Sequence, residues 1–167
     1  GAPLTPIFHY LISKIIKKKF KIDYPLSVVN IGGITNVTQI KDALNNLNQN
    51  FFAYDIAPGN CLIDEWVRMH LNMNYDKNGN YASSGKVDNL ILNQAIDNFE
   101  LKSFNNSLDV KDFDLSFAKG LSFEDGCATI TKFTAFLISN GLEKISKKNN
   151  ISLNTIILCG GGRKNIF

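Results

Sequence analysis

The sequence predicts an α/β fold with a mixed sheet flanked by helices, on three observations. Two β-branched apolar runs, residues 28–31 and 155–158, stop abruptly at consecutive glycines, Gly32-Gly33 and Gly160-Gly161-Gly162. Between them, several stretches carry apolar residues at helical spacing. The order is therefore hairpin, strand, helices, then a strand running through glycine towards a helix. No internal repeat or composition shift marks a second domain.

Taken in order, Thr5 is placed to cap a first helix with Pro6 opening it. Ile7, Leu11, Ile15 and Ile16 fall near one face of that helix. Asp23-Tyr24-Pro25 breaks it, Leu26–Ile31 reads as a strand, Gly32-Gly33 as a turn and Ile34–Ile40 as the returning strand of a hairpin. Residues 41–50 are Asn-rich and read as a loop or short helical turn. A short third strand, 51–54, leads to Asp55, a carboxylate expected in the turn that ends at Pro58-Gly59-Asn60. A helix follows over 61–71 with Leu62, Trp66 and Met69 or His70 inward, and 75–81 reads as polar loop. Helical spacing returns over 87–99 through Val87, Leu90, Ile91, Gln94, Ala95 and Ile96. Residues 101–121 are irregular, anchored by Phe104, Phe113 and Phe117. Ser122 with Asp125 reads as a capping box opening a long helix to about Lys147, weakened late by Gly141. Residues 155–158 read as a buried strand.

Composition narrows the class. In 167 residues, 44% apolar content with twelve Phe describes a globular domain with a real core. A net charge of +3 is too small to argue for nucleic acid or a membrane surface, and no apolar run has the length of a membrane helix. The basic stretch 14–21 reads as a solvated helix end favoured by the helix dipole. Cys61, Cys127 and Cys159 are odd in number and lack metal-like spacing, so buried reduced thiols are expected. His9 and His70 have no partner at ligand spacing, and no metal-binding residue is assigned. Both ends read as cut: the chain begins Gly1-Ala2-Pro3-Leu4 and stops at Ile166-Phe167 where a helix is expected, as in an interior piece of a longer protein.

Each chemical feature has two readings on residues alone. Asp55 can act as a general base or merely cap the helix after Pro58-Gly59. Gly32-Gly33 can bring backbone amides to an anion or form an ordinary hairpin turn. The triple glycine can line a ligand or simply join strand to helix. Asp64 and Glu65 form a rival carboxylate pair that reads as structural or exposed.

Together, these segments resemble the anhydro-N-acetylmuramic acid kinase family of the sugar kinase, hexokinase and actin superfamily. The resemblance is carried by Gly1-Ala2-Pro3-Leu4-Thr5-Pro6-Ile7-Phe8-His9, Asn30-Ile31-Gly32-Gly33-Ile34-Thr35-Asn36, Asp55 and Pro58-Gly59-Asn60 with the helix Leu62-Ile63-Asp64-Glu65-Trp66, Tyr75-Asp76-Lys77-Asn78-Gly79, Asp112-Phe113 and Cys159 to Asn165, in family order along the whole chain. It implies an incomplete actin-like ATPase (ribonuclease H-like) lobe: part of the C-terminal lobe of a two-lobe sugar kinase, without the N-terminal phosphate-loop lobe or the C-terminal tail. It implies Asp55 as catalytic base, Gly32, Gly33 and Asn36 in a second phosphate loop, and Gly160, Gly161, Gly162 and Asn165 in the adenosine loop. Gly59 and Asn60 are implied at the sugar. The implied reaction, with ATP and Mg²⁺, opens 1,6-anhydro-N-acetylmuramic acid with water and phosphorylates O6. It belongs to peptidoglycan recycling in the bacterial cytoplasm, by a homodimer. Ile56 and Ala57 depart from the family's usual Thr-Gly, and residues 105–109 replace a Pro-Pro-Lys-Ser segment. A module that binds nucleotide without sugar chemistry is the alternative; calorimetry with the anhydro sugar separates the two. Residues 1–167 in isolation are expected to be inactive, since half the ATP site lies elsewhere.

Overall fold

The structure is a computed structural model and describes residues 4–42, 51–99 and 107–167. Expectations for Gly1 to Pro3, most of the Asn-rich stretch, Phe104, Asn105 and Asn106 lie outside the described residues. Helix α1 (Thr5–Phe20) precedes strands β1 (Leu26–Ile31), β2 (Ile34–Ile40) and β3 (Phe51–Pro58). Helices α2 (Cys61–His70), α3 (Asn80–Ser84), α4 (Asn89–Asp97) and α5 (Phe123–Asn149) then lead to β4 (Thr155–Cys159). The four strands form one mixed sheet in the order β3-β2-β1-β4, antiparallel except that β4 runs parallel to β1. This is the α/β class with helices flanking a mixed sheet that the sequence predicts.

Alternation along the strands divides the sheet between two cores. Val29, Val37, Ile56 and Ala57 face α2 and α5, packing with Leu62, Trp66, Ile130, Phe133 and Ile145. Leu26, Val28 and Ile40 face α1 and enclose Tyr10. Helix α1 presents His9, Tyr10 and Ser13 to the sheet. Most of its expected apolar stripe points the other way, with Ile7 39%, Leu11 55% and Ile15 66% exposed, while Ile16 is half-buried. Hydrogen bonds help set this rotation: His9 Nδ1 meets Thr38 Oγ1 at 2.9 Å, and Ser13 Oγ lies 3.0 Å from the Tyr24 hydroxyl. Burial holds the His9 imidazole below its ordinary pKa. Thr5 is not the cap; Leu4 holds that position and Thr5 is the first helical residue, so Pro6 falls second, where its missing N–H still costs no helical bond.

Other boundaries shift for tertiary reasons. β3 continues past residue 54 because β2 pairs with it as far as Pro58, through a bulge opposite Thr35 and Asn36. Asp55 is thus a strand residue and not a turn residue. In α2, Ile63 and Val67 join Leu62 and Trp66 inward, while Met69 and His70 are both exposed on the last turn. The polar loop at 75–81 holds a 3₁₀ turn, Lys77–Gly79, and the start of α3. Asp76 is buried there, accepting the amides of Tyr81 and Ala82 at 2.9 and 3.0 Å. In α4, Leu92 and Ala95 are buried and Leu90 is exposed. Phe113 stacks on Phe99, and Phe117 packs against Phe133, so both anchors are in place. Ser122 Oγ accepts the Asp125 amide at the start of α5, but the Asp125 carboxylate accepts the Lys86 amide at 2.7 Å and not the Ser122 amide, so the expected box is half made. Gly141 sits where α5 crosses the β3 bulge; a methyl there would lie 2.9 Å from the Ile56 carbonyl oxygen. Strand β4 is not fully buried, since Ile156 and Leu158 are exposed on one face.

Candidate active site

Register places a polar row across the whole sheet. Asp55 pairs with Asn36, Asn36 with Asn30, and Asn30 with Cys159. Directly paired residues share a face, so these four side chains stand together on the α1 side, one step beyond the Val28 and Thr38 pair that α1 covers. The Cys159 thiol, 3.7 Å from Asn30 Oδ1, ties two of them; burial pushes that thiol up, against a smaller opposing pull from Arg163. Asp55 is half-buried, and its Oδ2 accepts the Leu108 amide at 3.1 Å. It does not cap α2, whose cap position is Asn60. Sequence reasoning singles out Asp55 and Asn36; Asn30, at the head of the Asn30 to Asn36 phosphate-loop motif, has no separate role there, and its pairing with Asn36 puts it on this face.

The two glycine segments meet. The β1–β2 turn rests on the start of α2, where the Gly59, Asn60 and Cys61 amides donate to the Gly33, Gly32 and Gly33 carbonyls at 2.8, 2.7 and 3.1 Å. Those amides, a potential anion site at a helix N-terminus, are therefore spent on the hairpin. Because the Gly32–Gly33 peptide is planar, its carbonyl towards α2 turns the Gly33 N–H away from the helix. Gly33 is exposed, and a methyl there would meet nothing within 4 Å. Gly59 is required by close approach, since a methyl would lie 2.2 Å from the Gly32 carbonyl oxygen. On the other side Gly160, at φ +82°, packs against the Ile31 carbonyl and Asn30 Oδ1, and Gly162 against Ile31.

Beside this junction lies a cavity of about 400 Å³. Asn60, Ile63 and Asp64 of α2 form one wall, Gly161, Gly162, Lys164 and Asn165 another, and Tyr75 to Asn78 the third. Asn165 follows a short 3₁₀ turn, Gly162–Lys164, and packs against Gly79; the Ile166 amide donates to the Asn78 carbonyl at 3.2 Å. The structure thus brings Asn60, Gly161, Gly162 and Asn165 to one cavity. Asp55 and Asn36 stand on the sheet face, and Gly32 and Gly33 form the turn between. Asp64 is the residue sequence reasoning set aside with Glu65. Its position four residues after Asn60 was the available signal, placing both on one helix face. Burial pushes the Asp64 carboxyl above the usual carboxylate range, with Arg68 pulling it partly back.

These features, a glycine hairpin seated on a helix and joined to a second glycine loop, coincide with a sequence family. The model of the family described as anhydro-N-acetylmuramic acid kinase matches residues 1–167. The chain belongs to that family. Among relatives that carry the same description, the protein of Pelagibacter ubique (strain HTCC1062) is 49% identical over 169 residues, covering 99% of this chain and 43% of the relative. Those of Zymomonas mobilis subsp. mobilis and Rhodospirillum rubrum are each 35% identical, covering 99% of this chain and 42% and 40% of the relatives. The chain therefore spans less than half the length of these curated relatives. Family membership brings with it the actin-like ATPase fold class expected from the motifs. No helix among the described residues is long and apolar enough to cross a membrane.

Proposed function

We propose that this chain is part of the C-terminal lobe of a two-lobe kinase that converts 1,6-anhydro-N-acetylmuramic acid, water and ATP to N-acetylmuramic acid 6-phosphate and ADP. The observation that carries the reading is the family match over residues 1–167, joined to a carboxylate standing in a polar row next to both glycine loops. In this reading ATP lies along the junction. The open side of the Gly32-Gly33 turn meets the phosphates, where a missing Cβ and an outward N–H allow close approach. Gly161, Gly162 and Asn165 line the nucleoside.

Asp55 takes a proton from water as that water bonds to the anomeric carbon and the bond from that carbon to O6 breaks. The freed O6 then bonds to the γ-phosphorus, and ADP leaves. The Leu108 amide on Oδ2 orients the carboxylate and leaves Oδ1 for the water. Asn36, expected in the phosphate loop, pairs with Asp55 and with Asn30, and in this reading these two asparagines hold the sugar instead, with Gly59 setting the turn and Asn60 the join between sugar and nucleotide sides. Among the described residues no three His, Cys, Asp or Glu side chains come together. Mg²⁺, by family, would supply charge neutralisation at the nucleotide phosphates. Peptidoglycan recycling in a bacterial cytoplasm and a homodimeric assembly complete the proposal, by family.

The test is Asp55→Asn in the complete protein. Turnover should fall by about 10³-fold or more, with ATP affinity by calorimetry within about twofold of the parent. Near-normal turnover would remove Asp55 from the mechanism.

A further inference from the structure

The 400 Å³ cavity beside the glycine junction has the size of a small-molecule site. Its wall contains one carboxylate that accepts no hydrogen bond from the described residues, although Arg68 acts on its charge. Asp76, on the opposite wall, is consumed by two amides of α3. Asp64, half-buried, has neither a hydrogen bond nor an ion pair among the described residues, although Lys77 and Lys164 edge the same cavity. A half-desolvated carboxylate facing a cavity is costly unless something donates to it. Its chemistry restricts the occupant. An acceptor-only group repels phosphate, so the charged end of a bound nucleotide belongs at the Gly32-Gly33 turn. What reaches Asp64 must carry no negative charge and be rich in O–H or N–H. Asn60, one helical turn earlier, and Asn165 across the cavity add neutral polar groups on either side.

We propose that Asp64 is a nucleotide-specificity residue, accepting hydrogen bonds from donor groups of the nucleoside, either the ribose hydroxyls or the exocyclic amine of the base. This rests on the kinase reading above, and it extends it by naming the side chain that distinguishes one nucleotide from another. Asp64 touches no reacting atom; its effect falls on binding.

The experiment uses the complete protein, with calorimetry and steady-state kinetics on ATP, 2′-deoxy-ATP, 3′-deoxy-ATP and the purine riboside triphosphate lacking the 6-amine. Asp64→Ala is expected to raise both Kd and KM for ATP about tenfold, leaving kcat and the KM for the sugar within about twofold. Asp64→Asn, which keeps the shape and one acceptor oxygen, should lose less, and it serves if the alanine variant does not fold. In the parent, one of the three analogues should already bind about as weakly as ATP binds Asp64→Ala. That same analogue should lose nothing further in the variant, which identifies ribose or base as the source. An unchanged ATP Kd in a folded variant overturns the proposal while leaving the kinase reading intact. Equal losses for ATP and all three analogues overturn it as well. A parent that binds no ATP overturns the kinase reading itself.

Discussion

The two glycine segments look alike in sequence, each a β-branched run ending in consecutive glycines, yet they hold glycine for opposite reasons. At Gly160 the reason is internal: φ is +82°, and a methyl would lie 2.4 Å from the Ile31 carbonyl oxygen and 2.6 Å from Asn30 Oδ1. At Gly33 the protein itself asks for nothing. Its φ is not positive, and a methyl would enter open space. A glycine that the fold does not need is the better marker of a ligand's approach. The Gly160 to Gly162 loop is built by packing, and the hairpin turn is left open by it.

Three substitutions separate the two loops. Gly160→Ala should cost about 2–4 kcal/mol, since it adds left-handed strain to a backbone clash that no side chain can relieve. The denaturant midpoint measures this, and a midpoint near the parent's would mean that the two loops do not press together as described. Gly59→Ala should cost about 1–3 kcal/mol by pushing the hairpin off the start of α2. Faster hydrogen exchange at the Gly59, Asn60 and Cys61 amides would report the separation, and unchanged exchange would argue against that seat. Gly33→Ala should change stability by no more than about 0.5 kcal/mol. In the complete protein it should nevertheless raise the KM for ATP several-fold, by placing a methyl where phosphate oxygens approach. A fall in stability there, with nucleotide binding unaltered, would reverse the assignment of the two loops.

Much of this was legible from local pattern. The hairpin of β1 and β2, the caps at Ser122 and the anchors Phe113 and Phe117 are short-range features, and they stand where spacing puts them. What failed did so where distant residues decide. The α1 stripe of Ile7, Leu11 and Ile15 has good periodicity, but the sheet face that α1 meets offers Thr38 and a pocket among Leu26, Val28 and Ile40. Tyr10, His9 and Ser13 fit that surface better. Asp55 looked like a turn residue because Pro58-Gly59 follows it; pairing with β2 kept the strand extended and moved the carboxylate onto the sheet face. Asp64 looked inert because nothing near it in sequence reveals the Gly161 to Asn165 segment across the cavity.

The chain alone determined its class, its family and the positions of its glycine stops, since these depend on residue types at fixed short spacing. Only the assembled sheet decided that Asp55, Asn36, Asn30 and Cys159 form one row, and that Asp64 faces the cavity while Glu65 does not line it. Strand register and helix rotation are set by contacts between residues tens of positions apart, and a side chain's surroundings follow from both.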